Sequence, residues 1–253
     1  MTWLENVILS VVEGLTEYLP VSSTGHLMIT KEWLNINASN METYMISIQF
    51  GAIFAVVALY WKRFFNPNWF SFYQKLLAAF IPTAILGKLF DDVLEQLPQT
   101  PMVVAVMLIT VGAFLLVIDK LLPEGDKEID QLSLKDSFII GLIQSIAMIP
   151  GTSRSAATIA GGLGMKLSRK AAAEFSFFLA VPTLSAAGIY QIYKHWNELS
   201  ANSLQEIAVG NILSFITAFF AVKFFIELVQ KQGFKFFGIY RIIIGTIFLI
   251  TLL

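Results

Sequence analysis

The chain has 253 residues, 56% of them hydrophobic and 14% charged, with a mean hydropathy of +0.70, which excludes an ordinary soluble domain and points to an integral membrane protein. A net charge of -1, from 17 basic and 18 acidic residues, excludes bulk attraction to a polyanion and gives no case for nucleic-acid binding. The absence of cysteine excludes disulfides, thiol nucleophiles and thiolate metal sites.

From the N-terminus, "MTWLEN" carries Glu5 and no Lys or Arg, so a cleavable signal with a basic start is not expected and this segment is expected to fold. An apolar segment near 3–19 runs into "PVSSTGH", where Pro20, Ser22, Ser23, Thr24 and Gly25 interrupt a helix. Apolar stretches long enough to cross a bilayer, roughly 17 to 25 residues, follow near 42–61, 70–90 and 101–119. The mixed-charge stretch from Asp119 to Asp136 reads as a solvated linker. A second interrupted segment near 137–149 ends in "PGTSRS", and further bilayer-length stretches lie near 174–193, 206–229 and 236–253. Broken backbone at membrane depth survives only where protein or water satisfies it, so the interrupted segments read as re-entrant hairpins. Pro82 and Pro182 are expected to kink spans, His195 to lie in an outer loop, and Glu174 to mark a helix start.

The two breaks resemble each other, with Leu19-Pro20-Val21-Ser22-Ser23 lying against Ile149-Pro150-Gly151-Thr152-Ser153. Each half then holds one hairpin and three spans, and because three is odd the second half enters from the opposite face. The expected fold is an all-α integral membrane protein: about six transmembrane helices plus two re-entrant helical hairpins in an inverted-topology repeat. It forms a single membrane domain over 1–253, with halves of 1–122 and 132–253 joined by a linker at 123–131. Such repeats bring interrupted helices together near the midplane, where binding sites lie.

Basic residues orient the arrangement. One side holds Lys62, Arg63, Lys75, Lys120, Lys127, Lys135, Lys166, Arg169, Lys170, Lys231 and Lys235; the other holds Lys31, Lys88 and Lys194. Cytoplasmic loops carry the excess, so the linker is expected in the cytoplasm, with both termini and the first hairpin facing outward. Arg154, Lys223 and Arg241 fall within apolar segments.

Glu13 and Glu17 share one helix face with β-carbons roughly 6 Å apart. At an effective dielectric near 20, two unit charges at that distance repel by about 3 kcal/mol. Either one is protonated or a hard divalent cation, Mg²⁺ or Ca²⁺, sits between them; two solvated carboxylates at a helix end are the plainer alternative. Next come Ser22, Ser23, Thr24 and Gly25 at a helix start, whose unpaired N–H groups and dipole suit a phosphate, though simple N-caps would look the same. His26 lies one turn further. Arg154 follows Gly151, Thr152 and Ser153 and precedes Ser155. A guanidinium in a membrane segment is costly and offers paired donors that match phosphate oxygens. Its structural alternative is pairing with Glu13 or Glu17, and the two readings coexist if phosphate displaces the carboxylate.

The stretches "VVEGLTEYLPVSSTGHL" and "PGTSRSAATIAGG", with "IQFGAIFAVVALYW", "EFSFFLAVP" and "YRIIIG", resemble the bacterial undecaprenyl-diphosphate phosphatases of the bacitracin-resistance family, nearly end to end. The resemblance implies hydrolysis of undecaprenyl diphosphate to the monophosphate carrier at the outer face of the cytoplasmic membrane, with Mg²⁺ or Ca²⁺. It puts the family's glutamates on Glu13 and Glu17, its serine on Ser23, its histidine on His26 and its arginine on Arg154. Two departures are Ala156, where a glycine is frequent, and Met45, where an acidic residue is frequent. The expected partners are a polyprenyl diphosphate lipid and membrane lipids, and a homodimer is one assembly open to the chain.

Three mechanisms fit this spacing: attack by Ser23 with His26 as base, attack by His26 itself, or attack by a metal-activated water. The first is favoured, because a neutral imidazole accepts a proton near pH 7. A transporter or flippase of a lipid phosphate is the rival function, since broken helices in inverted repeats are transporter architecture. It has no clear need for paired carboxylates beside a serine and a histidine.

Overall fold

A computed structural model describes residues 1–36, 41–65, 69–90, 100–194 and 201–253; the expectation for His195 lies outside the described residues. Thr2 starts α1 (Trp3–Thr16) through a capping box, its Oγ1 accepting from the Glu5 N–H while the Glu5 carboxylate accepts from the Thr2 N–H. The helix gives way at the Pro20 turn, and Ser22 caps α2 (Ser23–Trp33). Then come α3 (Met41–Ser47), α4 (Gln49–Leu59), the single turn α5 (Trp61–Phe64) and α6 (Trp69–Leu89). Thr100 caps α7 (Pro101–Leu121), with proline at the first position, where its missing N–H costs nothing. A 3-10 turn (Ile129–Gln131) leads to α8 (Leu134–Gln144), which Ser133 and Asp136 open as a second capping box. A further 3-10 turn (Ser145–Met148) precedes the second break, after which follow α9 (Arg154–Gly164), α10 (Arg169–Lys194), α11 (Ala201–Gln232) and α12 (Lys235–Thr251). Among the described residues the β-structure amounts to one isolated bridge, Lys127 to Leu167, so the fold is all-α.

Residues 70–89, 101–121, 169–194 and 203–232 are helices long and apolar enough to cross a bilayer, and Pro82 and Pro182 sit inside the first and third of them. The other two expected spans are shorter: residues 43–59 are apolar but interrupted at Ile48, and α12 has 17 residues. At 1.5 Å per residue α12 extends about 26 Å, short of the ~30 Å hydrocarbon layer. The Ser47 hydroxyl, which donates to the Thr43 carbonyl one turn back, accompanies the break at Ile48, as serine back-bonding commonly bends helices.

The first arm of each hairpin is laid against a long helix of the other half of the chain. Gly14 of α1 meets the backbone of Ser214 and Ala218 in α11, and Gly141 of α8 meets the backbone of Ala79 in α6. A side chain at either glycine would collide with that backbone, so close approach is what these positions require. The helix α7 packs on α12 in the same way, Gly112 against the Gly238 carbonyl. Polar ties reinforce these contacts, the Asn6 amide donating to the Glu206 carbonyl and the Gly51 N–H to Asn211 Oδ1.

Several of the basic residues expected on one side are linked around Asp119 and the 124–136 stretch. Arg169 pairs with Asp119 and Glu124, Arg63 with Asp130, and Lys127 with Asp136. Lys75 Nζ donates to the carbonyls of Ile129 and Asp130, and the Phe234 N–H reaches Asp119, bringing Lys231 and Lys235 alongside. Glu174 lies in α10 one turn beyond Lys170, with which it pairs, and accepts from the Tyr60 hydroxyl.

Candidate active site

Both breaks are built around a serine with a left-handed φ. Ser22 has φ 74° and its Oγ accepts from the Gly25 N–H; Ser153 has φ 80° and its Oγ accepts from the Ala156 N–H. Such conformations cost on the order of 1 to 3 kcal/mol in a residue with a β-carbon and persist only where surrounding contacts hold them. The structural equivalence is therefore Ser22 with Ser153, one residue out of step with the alignment that places Pro20 on Pro150. The second break contains an extra residue after its proline.

The breaks meet. Ser155 Oγ donates to the Leu19 carbonyl at 2.7 Å, and Arg154 Nη2 donates to Glu17 Oε1 at 2.9 Å. Arg154 Nη1 donates to the carbonyl and hydroxyl of Ser176 on α10, at 2.8 and 3.1 Å. The other Glu17 oxygen, Oε2, accepts from Ser23 Oγ at 2.5 Å. One carboxylate thus holds the arginine of one hairpin and the hydroxyl of the other, in a place where Glu17 and Arg154 side chains are only 5% and 11% exposed. The arginine-to-carboxylate alternative raised by the sequence is realised, with Glu17 as the partner.

His26 is close by but does not reach Ser23. Its Nδ1 lies 2.8 Å from the Ser22 carbonyl and its Nε2 lies 2.7 Å from the Tyr240 hydroxyl, so both ring nitrogens are engaged. The expectation that His26 serves as base for Ser23 does not match this arrangement: the Ser23 hydroxyl is committed to Glu17.

Six buried side-chain polar atoms among the described residues lack a hydrogen-bond partner, and four of them belong here: both carboxylate oxygens of Glu13, Thr152 Oγ1 and Arg154 Nε. Buried polar groups are almost always satisfied, so these atoms mark where a bound species would complete the site. Glu13 is fully buried, and its two free oxygens are the hard donors that Mg²⁺ or Ca²⁺ prefers. The Glu17 oxygens already accept from Ser23 and Arg154, yet each retains a lone pair. Among the described residues no group of three or more His, Asp or Glu gathers, so a cation here would rest on this pair of carboxylates.

Of the other residues singled out, Ser22, Ser153 and Ser155 are buried and bonded within the breaks, and Thr24 is exposed. Gly25 and Gly151 serve the backbone: a β-carbon on Gly25 would press on Val104, and Gly151 has φ +87°. Sequence reasoning missed Tyr240 and Arg241. Arg241 is fully buried and donates to the carbonyls of Pro20 at 3.0 Å and Gly151 at 2.6 Å, one from each break, with longer bonds to Met107 and Leu108. A cation in an apolar segment was the available signal, as it was for Arg154; Arg241 lacks the proline and the run of Ser and Thr hydroxyls that drew attention to Arg154.

Comparison with known proteins identifies the family. Residues 6–247 match the family described as bacitracin resistance protein BacA. The chain is 47% identical to an undecaprenyl-diphosphatase of Bdellovibrio bacteriovorus over 100% of its own length and 97% of the relative's. It is 46% identical to one of Flavobacterium johnsoniae, covering 99% and 96%, and 40% identical to one of Methanococcus aeolicus, covering 98% of each.

Proposed function

The chain belongs to the bacitracin resistance protein BacA family, and on that premise we propose that its two broken hairpins together form one phosphatase site. The protein is a multi-pass inner-membrane hydrolase that converts undecaprenyl diphosphate to undecaprenyl phosphate and inorganic phosphate, a reaction of peptidoglycan biosynthesis. The observation that carries the site assignment is the set of unsatisfied buried groups, the Glu13 oxygens, Arg154 Nε and Thr152 Oγ1, around a serine hydroxyl already bonded to a carboxylate.

In this reading Ser23 Oγ attacks the terminal phosphorus as the bond to the bridging oxygen breaks, and the Ser23 proton passes to Glu17, which already accepts its hydrogen bond. Undecaprenyl phosphate departs. Water then cleaves the phosphoserine, its oxygen going to phosphorus and one proton back to Ser23, and the proton on Glu17 leaves with the products. Glu17 replaces His26 as base because the serine donates to it, whereas both His26 nitrogens are occupied. Arg154 stabilises the charge that develops on the phosphoryl oxygens, through Nε and through whichever donor Glu17 releases. Thr152, Ser153 and Ser155, with Ser22, Thr24, Gly25 and Gly151, shape the two tips that enclose the headgroup. Glu13 and Glu17 would hold Mg²⁺ or Ca²⁺, which when bound supplies positive charge to offset that of the diphosphate.

The proposed topology is the inverted repeat of halves 1–122 and 132–253, with six crossings and two re-entrant hairpins. Its support is the exchange of hairpin arms, α1 on α11 and α8 on α6. The side that carries the basic excess would face the cytoplasm, leaving the site open outward. The test is made in proteoliposomes loaded with undecaprenyl diphosphate: phosphate release that chelator abolishes is expected. Transbilayer movement of the lipid without phosphate release would establish the flippase instead.

A further inference from the structure

Tyr240 has no part in the motifs that carry the chemistry, yet its hydroxyl lies 2.7 Å from His26 Nε2 and its ring lies parallel to the imidazole, 5.5 Å between centroids at 5°. The other ring nitrogen settles the direction of this bond. Nδ1 sits 2.8 Å from the Ser22 carbonyl, which can only accept, so Nδ1 carries the hydrogen. In the neutral ring Nε2 is then bare, and the Tyr240 hydroxyl donates to it.

What His26 holds is the strained residue of the first break. Ser22 keeps its φ of 74° with its carbonyl bonded by both the backbone N–H and the Nδ1–H of His26 and its hydroxyl bonded by the Gly25 N–H, and the next residue is Ser23. A serine in that conformation relaxes unless neighbouring contacts oppose it. The imidazole opposes it from the carbonyl side, and Tyr240 holds the imidazole from behind. The helix that carries Tyr240 is itself fixed at the breaks, since the adjacent Arg241 donates to Pro20 and Gly151.

We propose that Tyr240 is a positioning residue of the phosphatase reaction: by donating to His26 Nε2 it fixes the imidazole that pins the Ser22 carbonyl, and so aims Ser23 at the phosphorus. The inference rests on the phosphatase reading, and it assigns His26 the work of holding the turn. No bond is made or broken at Tyr240. Its hydroxyl acts two residues removed from the reacting atoms, so the effect belongs in kcat, with the headgroup's own contacts untouched.

The test uses the full-length protein in detergent with Tyr240→Phe, which keeps the stacked ring and loses only the hydroxyl. The chain has 2 histidines, so ¹⁵N-histidine spectra of the parent and of His195→Gln assign the His26 nitrogens. In Tyr240→Phe the bare-nitrogen signal of His26 should move to the position of an unbonded ring nitrogen, and kcat should fall about tenfold with KM held within twofold. In a His26→Ala background, Tyr240→Phe should cost nothing further, while His26→Asn, whose amide can still donate to the Ser22 carbonyl, should outperform His26→Ala. An unmoved nitrogen signal, unchanged kcat, or an equal loss on the His26→Ala background overturns the proposal. Because the nitrogen spectrum is read without substrate, a failure of the phosphatase reading would leave that signal shift intact and show separately as absent turnover.

Discussion

Glu17→Gln removes one charge from the buried pair that latches the two hairpins together. Glu17 Oε1 and Arg154 Nη2 are 2.9 Å apart with side chains 5% and 11% exposed, so solvent screens the pair little. Removing one member of a buried pair typically costs about 3 to 5 kcal/mol, because the survivor is left charged and uncompensated. Arg154 keeps its bonds to Ser176, and glutamine preserves the volume and can still accept from Ser23, which places the expected loss near the lower bound, about 3 kcal/mol. Arg154→Met should cost a similar amount by stranding Glu17. The double variant strands neither charge, so its loss should fall short of the sum by about 1.5 to 3 kcal/mol. Thermal unfolding of the four proteins in one detergent at one pH reads this as a lowering of about 6 to 12 °C for each single variant and a clearly smaller combined shift than their sum. Single variants within about 0.5 kcal/mol of the parent, or strictly additive losses, would refute the latch.

Arg241→Met should leave buried carbonyls of Pro20 and Gly151 without a donor, at about 1 to 3 kcal/mol each, lowering the unfolding temperature and, through both tips, turnover. Arg154→Lys keeps the charge but loses the planar fork, and phosphate release should remain down by about 10² to 10³. Calorimetric titration of the detergent-purified protein with Mg²⁺ or Ca²⁺ should lose its binding signal in Glu13→Gln, whereas retained binding would remove Glu13 from the cation site. Single cysteines replacing Lys88 and Glu124 report orientation: an impermeant thiol reagent should label the first in intact cells and the second only after permeabilisation, and equal labelling would sink the proposed topology.

The membrane class, the all-α fold and the two breaks were legible in sequence because each rests on composition or on local chain-breaking residues. Proline, glycine and hydroxyls interrupt a helix whatever surrounds it. The shortness of α12 and the joint at Ile48 were not legible, since hydropathy measures where apolar residues run and not where backbone hydrogen bonds stop. Five site residues read from sequence, Glu13, Glu17, Ser23, His26 and Arg154, do come together, but who bonds to whom was beyond a spacing argument. Ser23 and His26 are one turn apart, and turn geometry alone left the serine free to choose the imidazole; the left-handed Ser22 carbonyl took Nδ1, and Tyr240, distant in sequence, took Nε2. The one-residue offset between Ser22 and Ser153 was hidden for a related reason, as a proline match looks stronger in sequence than the positive φ that defines the turn. Arg241 shows the same limit from the other side: its partners are four backbone carbonyls, which leave no trace in the sequence.

The most direct test of the central claim is phosphate release from undecaprenyl diphosphate by the purified protein in detergent with Mg²⁺, measured beside Ser23→Ala, Glu17→Gln and Lys135→Ala. The account predicts steady turnover by the parent, abolished by chelator, a loss of at least about 10² in Ser23→Ala and Glu17→Gln, and near-parent turnover in Lys135→Ala, whose lysine is exposed and lies outside the two breaks. Parent-like phosphate release by Ser23→Ala together with Glu17→Gln would contradict it, because the hydroxyl and the carboxylate that meet at the junction of the two hairpins would then have no part in the chemistry.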